Sequence, residues 1–127
     1  MATTLKGSKT EVVIGAEYPV VLINGELRVI DQAPEIVEEL SHGKIDSILR
    51  LAGIGQAAGM DMVDIVIMDP NLDEVDLYPR IVHQIDREFG CPISLDTRNP
   101  QALEAALTEL KSCKAMINSV TAEKETL

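Results

Sequence analysis

The chain has 127 residues, enough for one domain with a real core. It holds no Trp, one Phe and two Tyr, so Ile, Val, Leu, Ala and Met must build that core, and the base stacking used by single-strand nucleic-acid binders is argued against. A formal net charge of -10 disfavours phosphate backbones and anionic membranes, and no apolar run approaches the ~18 residues of a membrane span, which leaves a cytoplasmic chain bound to neither nucleic acid nor membrane as the expectation.

The opening "MATTLKGSKT" has no signal-peptide apolar core and is expected to be a disordered segment, residues 1–10, ahead of one domain at 11–127. "EVVIG" is the first β-rich run. "VVLINGELRVID" follows, and its Asn24-Gly25 centre between β-branched residues predicts a β-hairpin over residues 20–30. "APEIVEEL" reads as a short helix with Pro34 in its first turn. From Lys44 the spacing of Ile45, Ile48, Leu49 and Ala52 predicts a helix that Gly59 stops.

"MVDIVIM", Met62 to Met68, is nearly all apolar and reads as a strand covered on both faces. Tyr78, Ile81, Val82, Ile85 and Phe89 make the next helical stripe, closed by Gly90. "CPISL" is a strand. Asn99 then caps a helix with Pro100 at its first position and Leu103, Ala106, Leu107 and Leu110 inward. "KAMIN" is the last strand. Beyond it, Ser119 or Thr121 can cap a further helix, with Glu123 completing a capping box.

Alternating helices and strands imply a parallel sheet with right-handed crossovers, either an open sheet or a (β/α)8 barrel. In both, ligands gather at the C-terminal ends of the strands. Asp69, Asp96 and Asn118 lie at or near such ends, and Asp64 lies within a strand. Spacing alone leaves two roles open for Asp96 and Asn118, site residue or cap and loop anchor. Asp64 is equally open between a site role and a bond to a backbone amide. Cys91 and Cys113 form no CxxC pattern and suit reduced, buried thiols; His42 and His83 are isolated, so no metal site is expected. His83 reads as a helix-surface or half-buried residue. The carboxylates of "EIVEEL" and "NLDEVD" read as a solvated surface.

"PISLDTRNPQALEAAL" followed by "KAMINSVTAEKE" resembles the pterin-binding methyltransferases, in which a strand ends L-D-[ST]-x-N before a helix and the next strand ends M-I-N-S. Dihydropteroate synthase is a more distant relative. The resemblance is carried mainly by Cys91 to Leu127, and "AAGMDMVDIVIMD" stands where the family has a strand with D-x-N. It implies parallel βα units forming the first half of a (β/α)8 TIM barrel, with the N-terminal β-hairpin an addition outside the family pattern. A half-barrel leaves strand edges open, which a second copy could close as a homodimer, unless the chain is an inactive remnant.

The implied activity is transfer of a methyl group from methyltetrahydrofolate to a corrinoid carried by a partner protein, within one-carbon metabolism. The cobalt belongs to the partner, so no metal is expected here. The implied pterin-binding residues are Asp96, Asn118 and Asp64, with the catalytic residue unassigned. A reduced pterin presents an amino group and a ring N–H side by side. A carboxylate accepts from both, and an Asn amide, with one acceptor and two donors, suits a mixed edge. Two departures stand out. The family's opening G-E-R-x-N is sought in "GAEYP", which lacks its Arg and Asn and displaces Glu17, and Val66 replaces the Asn of D-x-N. They favour the alternative of a non-catalytic pterin-binding or assembly module.

Overall fold

A computed structural model describes residues 1–118. The helix expected after Ser119 lies outside the described residues. Two sheets organise the chain. β1 (Ala2–Lys6) and β2 (Glu11–Gly15) form an antiparallel hairpin. β3 (Ile23–Arg28), β4 (Met62–Val66), β5 (Ile93–Asp96) and β6 (Met116–Asn118) form a parallel sheet in consecutive order. Between them come α1 (Pro34–Ser41), α2 (Asp46–Ala57), α3 (Glu74–Glu88) and α4 (Pro100–Glu109). Consecutive parallel order is what a (β/α) barrel wall requires, whereas a doubly wound sheet reverses at a switch point.

The N-terminal hairpin exists, but residues 2–15 build it rather than 20–30. The segment 1–10, expected without structure, supplies β1, whose Thr3, Thr4 and Leu5 face Ile14, Val13 and Val12. The hairpin is docked at the N-terminal end of the parallel sheet. Lys9 and Thr10 amides donate to the Gly90 carbonyl at 3.0 Å each, and Lys6 and Lys114 exchange backbone bonds just before β6. These anchors lie more than a dozen residues away, beyond any local pattern.

Asn24-Gly25 is not a turn. It is a bulge inside β3: the pairing with β4 shifts between Asn24 and Leu27. Asn24 is buried; its Oδ1 accepts from the Glu26 amide at 3.0 Å, and its Nδ2 donates to the Leu51 carbonyl at 3.3 Å. The side chain thereby satisfies a backbone N–H near the bulge and ties β3 to α2. A Cβ on Gly55 would overlap the Asn24 amide, so only glycine lets helix and strand approach this closely.

The helices and their limits follow local chemistry. Pro34 opens α1. Asn99 caps α4, its Oδ1 accepting from the Gln101 and Ala102 amides. Gly59 and Gly90, at φ +91° and +64°, sit just beyond α2 and α3 in conformations that L side chains resist. α2, α3 and α4 cover one face of the sheet, where Leu27, Val63, Ile65, Ile67, Ile93 and Leu95 meet Ile48, Tyr78, Ile81 and Ala106 in one buried cluster. Strand alternation places Met62, Asp64 and Val66 on the other face. Cys91 is buried and Cys113 only half-buried, and both thiols are free. No helix among the described residues is long and apolar enough to cross a membrane.

Candidate functional site

The register of the parallel sheet assembles the site. Val66 pairs with Asp96, and Asp96 with Asn118; two pairs earlier, and so on the same face, Asp64 lies beside Ser94. Asp96 and Asn118 each end their strand, and all these residues project from the face that the helices do not cover. The three residues singled out from the sequence therefore meet at one point, at and just below the C-terminal rim.

Their contact is specific. Asn118 Nδ2 donates to Asp64 Oδ1 at 3.1 Å and to Asp96 Oδ2 at 3.3 Å. An amide nitrogen carries two hydrogens, so each carboxylate takes one. The Asn118 carbonyl oxygen is left as an acceptor. Instead of satisfying a mixed edge, this amide spends its donors within the protein and adds a third acceptor group to two carboxylates. Asp64, for which a backbone bond was the competing role, bonds this side chain across three strands.

The cap and anchor roles fall to neighbours. Asn99 caps α4. Thr97, buried on the opposite side of the chain from Asp96, donates to Glu74 Oε1 at 2.5 Å and accepts from the Asn99 amide at 3.1 Å. This loop is thus held without Asp96. After β4, Asp69 is absorbed in a turn, its Oδ1 accepting from the Asn71 amide at 2.8 Å. Met68, with φ +47°, lies in the left-handed region just before it. Tyr78 reaches through from α3 and donates to the Ile65 carbonyl at 2.6 Å. Burial, reinforced by the Asp64 carboxylate, pushes its phenol far above the usual range, so it stays a fixed neutral donor. His83 is exposed on α3 beside Glu109, away from the site.

Asp96 holds its proton more readily than an ordinary carboxyl. Burial is the main cause and the nearby Asp64 charge the second; Arg28 and Arg98 oppose them. These two arginines were missed in the sequence. Arg28 ends β3 and pairs with Val66 in the register, so it belongs to the same row as Asp96 and Asn118. Assigning "INGELR" to a hairpin hid it. β3 is the first strand of the parallel sheet, and Arg28 is its last residue. Arg98 follows Asp96 by two residues; the signal was its position in the loop leaving the same strand tip.

The family model described as "Pterin binding enzyme" matches residues 34–127, which include Asp64, Asp96 and Asn118. No curated protein matches the chain.

Proposed function

The chain belongs to the pterin-binding enzyme family, and from that premise we propose that it binds the ring of methyltetrahydrofolate on Asp64, Asp96 and Asn118 and contributes to methyl transfer to a corrinoid protein. One observation carries the ring-binding part: Asn118 gives one amide hydrogen to each carboxylate, leaving a cluster that presents only acceptors. The matching ligand edge is a row of N–H donors, and the amino group and ring N–H of a reduced pterin form such a row.

In methyl transfer the bond from the ring nitrogen to the methyl carbon breaks, and its electron pair stays on the nitrogen. That amine is a poor leaving group unless a proton or a hydrogen bond reaches it as the bond breaks. The corrinoid, carried by the partner, supplies the reduced cobalt that accepts the methyl. Asp64, Asp96 and Asn118 would orient the ring so that its reacting nitrogen faces that partner. β3 and β6 are the edges of the described parallel sheet, so this wall needs a facing one, from further strands or a second copy in a homodimer. The free thiols support a cytoplasmic setting.

Titration of methyltetrahydrofolate, followed by heat or ligand absorbance, tests the reading. Asp96→Asn is expected to weaken binding at least about tenfold, as loss of a charge-assisted contact worth about 1.5–3 kcal/mol requires. Equal affinities would remove Asp96 from the site. A second reading, a pterin-binding or assembly module without chemistry, is favoured by the same acceptor-only trio, which supplies no proton to the leaving nitrogen. Adding a reduced corrinoid protein separates the two: cobalt methylation supports the enzyme, its absence with bound pterin the module.

A further inference from the structure

We propose that Tyr78 and, through Thr97, Glu74 are positioning residues for the ring site: from behind the sheet, α3 holds the chain directly after Asp64 and directly after Asp96, and so keeps the two carboxylates at the spacing that one amide spans. The inference rests on the pterin reading above and adds to it the residues that set its geometry.

The two contacts share one pattern. Tyr78 Oη donates to the carbonyl of Ile65, the residue after Asp64, at 2.6 Å. Thr97, the residue after Asp96, donates its hydroxyl to Glu74 Oε1 at 2.5 Å. Asp64 and Asp96 face the open side of the sheet, whereas Ile65 and Thr97 are buried behind them. Glu74 and Tyr78 stand one helical turn apart and so share a face of α3. Their spacing fits the strands. Ile65 pairs with Leu95, so Thr97 lies two residues beyond that level. Two strand residues span about 6.6 Å, and one turn between residues four apart rises about 6 Å. One face of the helix therefore reaches both neighbouring strands at successive levels.

Packing alone does not call for these groups. Further along the same stripe, Ile81 and Ile85 are fully buried in the apolar core. A buried tyrosine hydroxyl costs free energy unless it is bonded, and phenylalanine would fill nearly the same volume without that demand. Among the described residues, the hydrogen bonds that join α3 to β4 and to the loop after β5 are these two, and both lie at the level of the carboxylates. There, like charge pushes Asp64 and Asp96 apart. Asn118 has one amide hydrogen for each and bridges them only while their separation holds. Anchoring the next residue on each strand opposes that splaying. The acceptors are then ordered before the ligand arrives, so binding does not have to order them.

The test removes each hydroxyl with little change of shape. Tyr78→Phe and Thr97→Val, in the full chain, are titrated with methyltetrahydrofolate by calorimetry, and the Asp96 carboxyl is titrated by NMR without ligand. Each folded variant is expected to bind at least about threefold more weakly, the scale of one lost hydrogen bond. Its Asp96 midpoint should fall toward the ordinary 3.8 as the two carboxylates separate. Thr97→Ser should keep both readings at the wild-type values. Ile81→Val, on the same stripe but without a polar contact, should lower the denaturation midpoint, yet leave affinity within about twofold and the Asp96 titration unmoved. Where the wild type binds, unchanged affinity in both hydroxyl variants, an unmoved Asp96 titration, or equal losses in Ile81→Val each overturn the proposal. Should Tyr78→Phe fail to fold, Thr97→Val and its serine counterpart decide alone. If the wild type binds no methyltetrahydrofolate, the ring reading fails separately. A shifted Asp96 titration in the hydroxyl variants, absent in Ile81→Val, then still upholds the positioning, and an unshifted one overturns it.

Discussion

The two faces of the parallel sheet are made by the same strands, one residue out of phase, and they are built on opposite principles. Val63, Ile65, Ile93 and Leu95 meet the helices and are fully buried or nearly so. On the other face, Asp64 and Asp96 stand close enough to share one amide. The first face stabilises the chain through apolar burial. The second sets two carboxylates together in a partly desolvated place, which opposes folding and prepares a surface for N–H donors. The contrast shows that the alternation which gives a sheet its core also gives it a site: parity along the strand decides which side chains do which.

The sharpest way to break this comparison is to damage one face and read the other. Leu95→Ala should cost about 2–5 kcal/mol of stability in denaturant unfolding, the range for a buried leucine, while the fraction still folded keeps its pterin affinity. A matching collapse of affinity in folded protein would mean that the faces are not separable. Next comes the loop between them. Asn99→Ala should cost about 1 kcal/mol, the usual loss for a helix N-cap, and should leave Asp96 titration unchanged.

The smallest effect is the most diagnostic, because one ionisation should act with opposite signs on folding and on binding. The Asp96 carboxyl is raised from its ordinary 3.8, so the folded chain binds that proton more readily than the unfolded chain. Its contribution to stability therefore falls as pH rises upward from about 3.8 through the raised value, and stays lower above it. Thermal unfolding of Asp96→Asn should show a melting temperature at pH 7 no lower than that of the wild type, and a gap that closes in acid. Pterin binding should move the other way, strengthening as Asp96 ionises. A variant clearly less stable than the wild type at pH 7 would show that Asp96 holds the fold together instead of opposing it.

Elements governed by neighbours in sequence were legible. Pro34, Asn99-Pro100, Gly59 and Gly90 act through local backbone chemistry, and α1 to α4 follow them. The strand ends at Asp96 and Asn118 were legible for the same reason. Asn24-Gly25 misled because a tight turn and a bulge share the same residues. Which one forms depends on whether the following strand folds back or continues beside β4, a long-range fact. β1 was missed because its partner strand and its anchors at Gly90 and Lys114 give no sign within the first ten residues. The donors of Asn118 could not be assigned from sequence at all, since an amide's orientation is set by what surrounds it. Arg28 was hidden by the misplaced hairpin, and its place in the row with Asp96 and Asn118 emerged only with the register.

The amide of Asn118 touches carboxylates on two other strands, and this ties the cluster to the alignment of the sheet. The acceptor cluster cannot exist until β6 has joined β5 and both are aligned with β4, since a slip of one residue would turn Asn118 to the helix side. The cluster therefore reports on the register of three strands at once, and a ligand that fits it would act as a gauge of correct alignment, drawing misaligned chains toward the one arrangement able to hold it.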